Sequence, residues 1–205
     1  MLTTDYLPNI GGIAAHVYNL SRALQQLGHK VVVINPIAAD VTGLKFVDEE
    51  IPLLRVAIDS KQRRFRNKVY RKYLFGRAAK DGISAAIERV GEPDIVHQHD
   101  YQDSTTAGAA WSGRVPWVWT NHSSRFLRDY ERGMKMRYIK RRYRQVSGFI
   151  AVSEELRDKT AALWPASPLA YIANGVDTAR FHADVQVDRA TYGLQREDLV
   201  VLCPR

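Results

Sequence analysis

Histidine, amide and hydroxyl side chains recur in this sequence at one kind of place, just after a short apolar run. His97, His99 and Asp100 close "DIVHQHD", Asn121 and His122 close "VPWVWTNH", Ser153 closes "GFIAVS", and Asn174 with Gly175 closes "LAYIANG". A fifth such place, "YLPNIGG", ends on Gly11 and Gly12, immediately before a helical pattern. Imidazole can donate, accept or move a proton near neutral pH, while amides and hydroxyls hold polar substrates. A glycine pair at a helix start lets a bulky anion approach free backbone N–H groups that carry partial positive charge. The same pair also makes a plain tight turn, and these residues leave turn and anion site equally open. "HQHD" raises a metal reading as well, because His97 and His99 share one strand face and Asp100 follows. No second cluster with ligand spacing accompanies it.

Such residues can meet only if the runs before them are strands of one sheet. Ile13, Val17, Leu20, Ala23, Leu24 and Leu27 recur at helical spacing, so the segment after the glycines is a helix with one buried face. Gly28 ends it in the left-handed conformation, and "KVVVIN" reads as a buried strand. "LLRVAI" at 53–58 is a further strand, followed by a basic helix from about Phe65, whose stripe continues through Ile83, Ala86, Ile87 and Val90 to Gly91. Strands at 94–99, 115–122, 148–153 and 169–174 alternate with a short helix at 102–113, a second basic helix to about Val146, and a helix capped by Ser153. Alternation of this kind predicts an α/β fold, a Rossmann-like parallel sheet with helices on both faces. In such sheets the ligand crevice lies beyond the strand C-termini, where the polar residues gather. Only "MLTT" is available for a first strand, which is expected to be very short or to lack its opening residues, and "EDLVVLCPR" reads as the opening of another. In "IANGVDTARF", Gly175 is expected to supply a positive-φ turn, Asp177 to cap one helical turn and Phe181 to pack it down.

The net charge of the 205 residues is +8, and it is concentrated. Segments 61–80 and 125–144 hold 18 of the 30 basic residues, and the remainder of the chain is acidic. Patches like these attract phosphate, whether in nucleic acid, lipid headgroups or an anionic substrate, unless they are solvated helix faces. Hydrophobic residues at 45% and charged residues at 25% exclude a disordered chain. A lone cysteine, Cys203, excludes an intrachain disulfide and suits a reducing compartment. The N-terminus carries neither a basic n-region nor an apolar h-region, and no apolar run reaches the roughly 20 residues of a membrane span. A cytoplasmic location is therefore expected, with peripheral attachment to the inner face of a membrane as an option.

"GGIAAHVYNLSRALQQLGHKVVVI", "EPDIVHQHD", "TNH", "AVSEEL" and "IANGVDTARF" together resemble the retaining glycosyltransferases of family 4, in the family's order and over nearly the whole chain. The resemblance implies the N-terminal, acceptor-side domain of a GT-B fold over 1–183, with 184–205 as linker and first strand of a nucleotide-sugar domain. It implies transfer of a sugar from a nucleotide-sugar to a sugar or lipid acceptor, with the 205 residues alone inactive. It places Gly11 and Gly12 against the donor phosphates and His122, as catalytic residue, near the transferred sugar. Read without it, His122 is equally well a structural strand-end residue. Asn9, His99, Asp100, Asn121 and Arg125 are assigned to the acceptor side, and His97 to packing under the sheet. No metal and no cofactor are expected, the nucleotide-sugar, UDP- or GDP-linked, being a substrate.

Two other classes compete. A nucleic-acid-binding protein should show aromatic platforms or a recognised reading helix, and Tyr70, Tyr73, Tyr138 and Tyr143 interleave with the basic residues, so composition alone leaves this class open. A GT-B-like epimerase or phosphorylase would share the fold. No nucleic-acid partner is expected. Arg63, Arg64, Arg66, Lys68, Arg71 and Lys72, interleaved with Phe65, Val69, Tyr70, Tyr73, Leu74 and Phe75, are read instead as a patch for an anionic membrane surface.

Overall fold

The structure is a computed structural model that describes residues 1–9, 11–47, 50–101, 111, 113–182, 184 and 188–201, with the backbone alone at 63 and 64. Chain packing separates Met1–Asn174 from Gly175–Arg205. In the larger unit, helix α1 (Gly12–Gln26) leads into strands β1 (Val33–Ala39), β2 (Gly43–Val47) and β3 (Leu53–Asp59). Helix α2 (Lys68–Val90), β4 (Val96–Gln98), β5 (Trp117–Asn121), α3 (Ser124–Tyr130) and α4 (Gly133–Arg142) follow. Strand β6 (Gly148–Ala151), α5 (Glu154–Leu163) and β7 (Leu169–Tyr171) complete it.

Strand β3 lies between β1, to which it is parallel, and β2, to which it is antiparallel, while β4, β5, β6 and β7 run parallel in that order. Leu2 joins the two sets, bridging in parallel to Ile34 on one side and Gln98 on the other.

Alternate residues of β1 and β3 face opposite helices, as a period of two demands. Val33 and Leu53 pack with Tyr6 and Val17 of the α1 side. Their neighbours Ile34 and Leu54 pack with Ala79 and Ile83 of α2. Helices therefore cover both faces. A Cβ on Gly82 would stand 2.6 Å from Ile34 Cγ2 and 2.8 Å from Val56 Cγ2, so α2 lies on the sheet at a distance only glycine permits. A second core gathers Trp117, Trp119 and Phe149 of the sheet with Phe126, Met136, Ile139, Tyr143, Leu156 and Trp164.

Helix α1 ends as expected. Gly28 has φ 89°, its N–H bonds Gln25 O, and His29 N–H reaches back to Leu24 O, the paired bonds of a Schellman closure. The buried line of α1 is Ala14, Val17 and Ser21, whereas Leu27 is 74% exposed, because it lies in the closing turn rather than on the packed face. Strand β1 begins later than the start of the valine run and includes Pro36. Ile34 N–H points to Met1 O, so by alternation the Pro36 nitrogen faces that same edge, beyond the last paired residue there, and no ladder bond is lost. Strand β2 was not expected from the sequence, since its exposed residues show no buried face. Asn67 caps α2 by accepting from Val69 and Tyr70 N–H, and Gly91 (φ 93°) closes it, with Val90 left half exposed.

The second basic helix is two helices. Arg132 leaves helical geometry at φ −100°, ψ 86°, and Gly133 opens α4. The break lets Phe126 from α3 and Met136 and Ile139 from α4 reach one core. Asp129 fastens the corner, accepting from Tyr101 Oη and Lys135 Nζ. The short helix expected at 102–113 lies outside the described residues except for Trp111 and Gly113.

In Gly175–Arg205, Asp177 caps a single turn through Ala179 and Arg180 N–H, as expected. Gly175 does not adopt a positive φ, and Phe181 is 60% exposed under the Arg180 guanidinium, so that turn is closed by backbone and carboxylate bonds rather than by apolar packing. A 3₁₀ turn at Arg189–Tyr192 is capped by Asp188 and closed by Gly193 at φ 68°. Residues 198–201 form no strand. Among the described residues, no helix is long and apolar enough to cross a membrane.

Candidate functional site

Four histidines meet beyond the C-terminal ends of β4 and β5. His97 and His99, two residues apart, project to the same face and their rings lie 4.1 Å apart between centroids. His122 follows β5, and its Nε2 stands 3.2 Å from His99 Nδ1. His16, in the second turn of α1, meets the His122 ring edge-on at 4.4 Å and the His99 ring at 5.4 Å. His16 was not among the residues expected here, although its place five residues after Gly11 puts it on the helix end that faces the strand ends. His97 does not pack under the sheet as expected; the i, i+2 relation carries it to the side of His99, where Nε2 lies 2.6 Å from Thr120 Oγ1.

Burial keeps these rings neutral. Desolvation, with the neighbouring His16, lowers His122 to about 3. Desolvation, the N-terminal ammonium and two neighbouring rings lower His97 to about 3 as well. His99 is held well below the ordinary imidazole value, first by burial and then by His97, His122 and His16. Burial lowers His16 too, partly offset by a hydrogen bond with Asn174, another of the expected strand-end residues. A neutral imidazole keeps one N–H donor and one lone pair, so the half-buried His16 and His122 rings can meet a sugar hydroxyl in either sense, whereas buried His99 has its nitrogens on His122 Nε2 and Met1 Sδ and His97 has Nε2 on Thr120.

Gly11 is the N-cap of α1 in extended geometry, with no side chain capping the helix. The first N–H groups there are available to a ligand. The surroundings of the two glycines differ. A Cβ on Gly11 would stand 2.9 Å from Asp5 Oδ2, whereas nothing lies within 4 Å of one on Gly12. Asp5 repels an anion on the Gly11 side, and the open approach is at Gly12. Asn9 is exposed and its amide donates to Asp5 Oδ1.

The remaining expected residues divide. Asp100 is buried, and its carboxylate accepts from Thr4 N–H at 2.6 Å, Thr4 Oγ1 at 3.0 Å and Thr3 Oγ1 at 3.4 Å, which ties the first strand to β4. Asn121 is buried, with Oδ1 accepting from Ser123 N–H and Nδ2 without a hydrogen-bond partner. Ser153 caps α5 through Leu156 N–H. Arg125 is exposed in the first turn of α3, close enough to Asp129 to help hold that carboxyl down.

A cleft of about 610 Å³ opens on the other side of the loop at residues 4–9, lined by Tyr6, Asn35, Arg55, Phe65, Arg71 and Phe75 among others. Arg55 is already committed, donating to Asn35 Oδ1 and Leu7 O. The basic patch is split by packing: Phe65, Leu74 and Phe75 lie on the core, while Val69 is 78% and Tyr73 53% exposed beside exposed Arg66, Lys68 and Arg71. Lys72 is half-buried, and the side chains of Arg63 and Arg64 are outside the described set.

Known proteins are similar to this chain in sequence and in fold. The chain is 26% identical over 186 residues to a phosphatidylinositol N-acetylglucosaminyltransferase component from Arabidopsis thaliana, covering 88% of this chain and 40% of that protein. It is 29% identical over 201 residues to a glycogen synthase of Mycobacterium tuberculosis, covering 88% and 49%. The chain thus spans about half the length of the curated relatives it matches, or less. Among solved structures, sucrose-phosphate synthase of Thermosynechococcus elongatus superposes with a TM-score of 0.61 at 18% identity, over 91% of this chain and 48% of that one. An α,α-trehalose-phosphate synthase of Burkholderia xenovorans, in complex with glucose-6-phosphate, gives 0.58 at 13% identity over 87% and 50%. These likenesses show the GT-B fold expected from the sequence. The sequence profile described as Glycosyltransferase Family 4 matches residues 10–180, and the chain belongs to that family.

Proposed function

We propose that this chain is the acceptor-side half of a retaining glycosyltransferase that moves a sugar from a nucleotide-sugar to a sugar or lipid acceptor. The observation that carries the reading is the contact between His16 and His122, which holds the uncapped start of α1 beside the end of β5. Glycosyl transfer builds negative charge on the leaving phosphate and positive charge on the sugar. The N–H groups at Gly12 suit the first, on the side away from Asp5. The neutral His122 ring suits a sugar hydroxyl held close to the reacting carbon. The nucleotide-sugar is a substrate in this scheme, and no cofactor is assigned. Relatives named for phosphatidylinositol, glycogen and sucrose-phosphate chemistry support a sugar-transfer reading over nucleic-acid binding.

The test is transfer by the full-length enzyme, assayed with a panel of UDP- and GDP-sugars. Gly12→Val should weaken donor binding while melting at the wild-type temperature, because the position has free space in the fold. Absence of transfer with every donor, or unchanged donor affinity in the variant, counts against the assignment.

A further inference from the structure

Three rings of the histidine cluster come from three separate elements and converge. His16 belongs to α1, His99 follows β4 and His122 follows β5, and one nitrogen from each lies within 4.8 Å of the other two. His99 Nδ1 and His122 Nε2 are already 3.2 Å apart. Two ligands on a tetrahedral ion with bonds of about 2.05 Å are separated by about 3.3 Å. Closing the widest gap to that spacing takes at most about 1.5 Å of ring movement, within the reach of side-chain rotation at half-buried His16 and His122.

His16 Nε2 adds an independent observation, since it is buried and, among the described residues, has no hydrogen-bond partner. Buried ring nitrogens ordinarily have one. All three rings are neutral, as a metal ligand must be. Among the described residues the cluster holds no carboxylate oxygen: Asp100, which follows His99, is turned to Thr3 and Thr4. An all-imidazole set suits zinc, copper or nickel and does not suit calcium or magnesium, which take oxygen ligands.

We propose that His16, His99 and His122 form a binding site for one divalent transition ion of the zinc class, its fourth ligand supplied from outside the protein. This set differs from the one the "HQHD" motif suggests, because His97 is turned to Thr120 and Asp100 to the first strand. An ion here would take the His122 nitrogen away from a sugar, so the site is inhibitory; that consequence alone rests on the donor-sugar reading of His122.

Titration of the metal-free chain with Co²⁺, without any nucleotide-sugar, reads the site directly. One equivalent should give the intense visible bands of four-coordinate cobalt, and Zn²⁺ should abolish them. His16→Gln and His122→Gln should each weaken binding by about 100-fold, while the exposed His29→Gln and His182→Gln bind as wild type. Thermal melting establishes that each variant is folded. Only the faint bands of six-coordinate cobalt, or equal affinity in wild type and a folded His16→Gln/His122→Gln double variant, would overturn the proposal. Either result leaves the glycosyl-transfer reading untouched, and failure of transfer in the full-length enzyme leaves the cobalt result standing.

Discussion

At the scale of single residues, we propose that His122 carries the chemistry of the sugar transfer. In the full-length enzyme, His122→Ala should lower kcat by about 10²-fold with little change in nucleotide affinity, as for a transition-state contact worth ~3 kcal/mol. Near-wild-type turnover would return His122 to a structural role. The cluster also makes a thermodynamic prediction. Each ring binds a proton less readily folded than unfolded, so the stability it contributes is complete above the unfolded value of 6.5 and drains as pH falls below it. Urea unfolding between pH 6.5 and about 5, above most carboxylate titration, should show stability falling with a slope on the order of 1 kcal/mol per pH unit for each neutral ring. A flat or rising profile would mean that the rings are not held neutral. His99 and His122 were legible in the sequence from their places at strand ends. His16 was not, because an isolated histidine inside an amphipathic helix looks like any half-buried polar residue until the strand opposite it is known.

At the scale of elements, the alternation of strands and helices was readable because β1 and β3 each carry apolar residues that are buried on both faces and α1 and α2 are closed by glycines. Boundaries were less so. Where β1 starts is decided by its partners, Leu2 and β3, rather than by its own valines, and the edge strand β2 carries no buried stripe to announce it. The corner between α3 and α4 depends on Asp129, whose burial raises its carboxyl while the Lys135 and Tyr101 hydrogen bonds outweigh that effect. The closest approach of helix to sheet gives the element-scale prediction. Gly82→Ala gains a favourable helix residue but forces a methyl group to within 2.6 Å of Ile34. The overpacking should dominate, with a loss of about 1–3 kcal/mol in chemical denaturation. A neutral or stabilising result would show that α2 can lift from the sheet without cost.

At the scale of the molecule, charge was legible in amount and the surface it makes was not. The basic stretch after β3 reads as one amphipathic patch, yet its aromatic residues divide between core and solvent. For what is left outside, Val69 and Tyr73 among Arg66, Lys68 and Arg71, we propose a peripheral contact with anionic lipid. Each basic residue near such a leaflet contributes about 1 kcal/mol, so several together suffice for reversible attachment. Co-sedimentation with vesicles should require anionic lipid, weaken with salt, and fall when Arg63, Arg64, Lys68 and Lys72 are all changed to serine. Equal recovery on neutral and anionic vesicles, or none on either, would assign the patch to solvent.

The joint at Leu2 sets how the sheet breathes. Two backbone hydrogen bonds tie that segment to β1, from Ile34 N–H to Met1 O and from Thr3 N–H to Ile34 O, and the Asn35 amide adds a third by donating to Thr3 O. Two more tie it to β4, from Leu2 N–H to His97 O and from His99 N–H to Leu2 O. Among the described backbone hydrogen bonds, the two sets of strands are joined only through this narrow seam, whereas β1 and β3 are in register over seven residues. Local opening should therefore begin here, and the amides of Leu2, Thr3, Ile34 and His99 should exchange with deuterium as a group, ahead of those between β1 and β3. Because His99 sits on the seam, each such opening also wets the histidine cluster, and the lifetime of its dry state is the lifetime of those few hydrogen bonds.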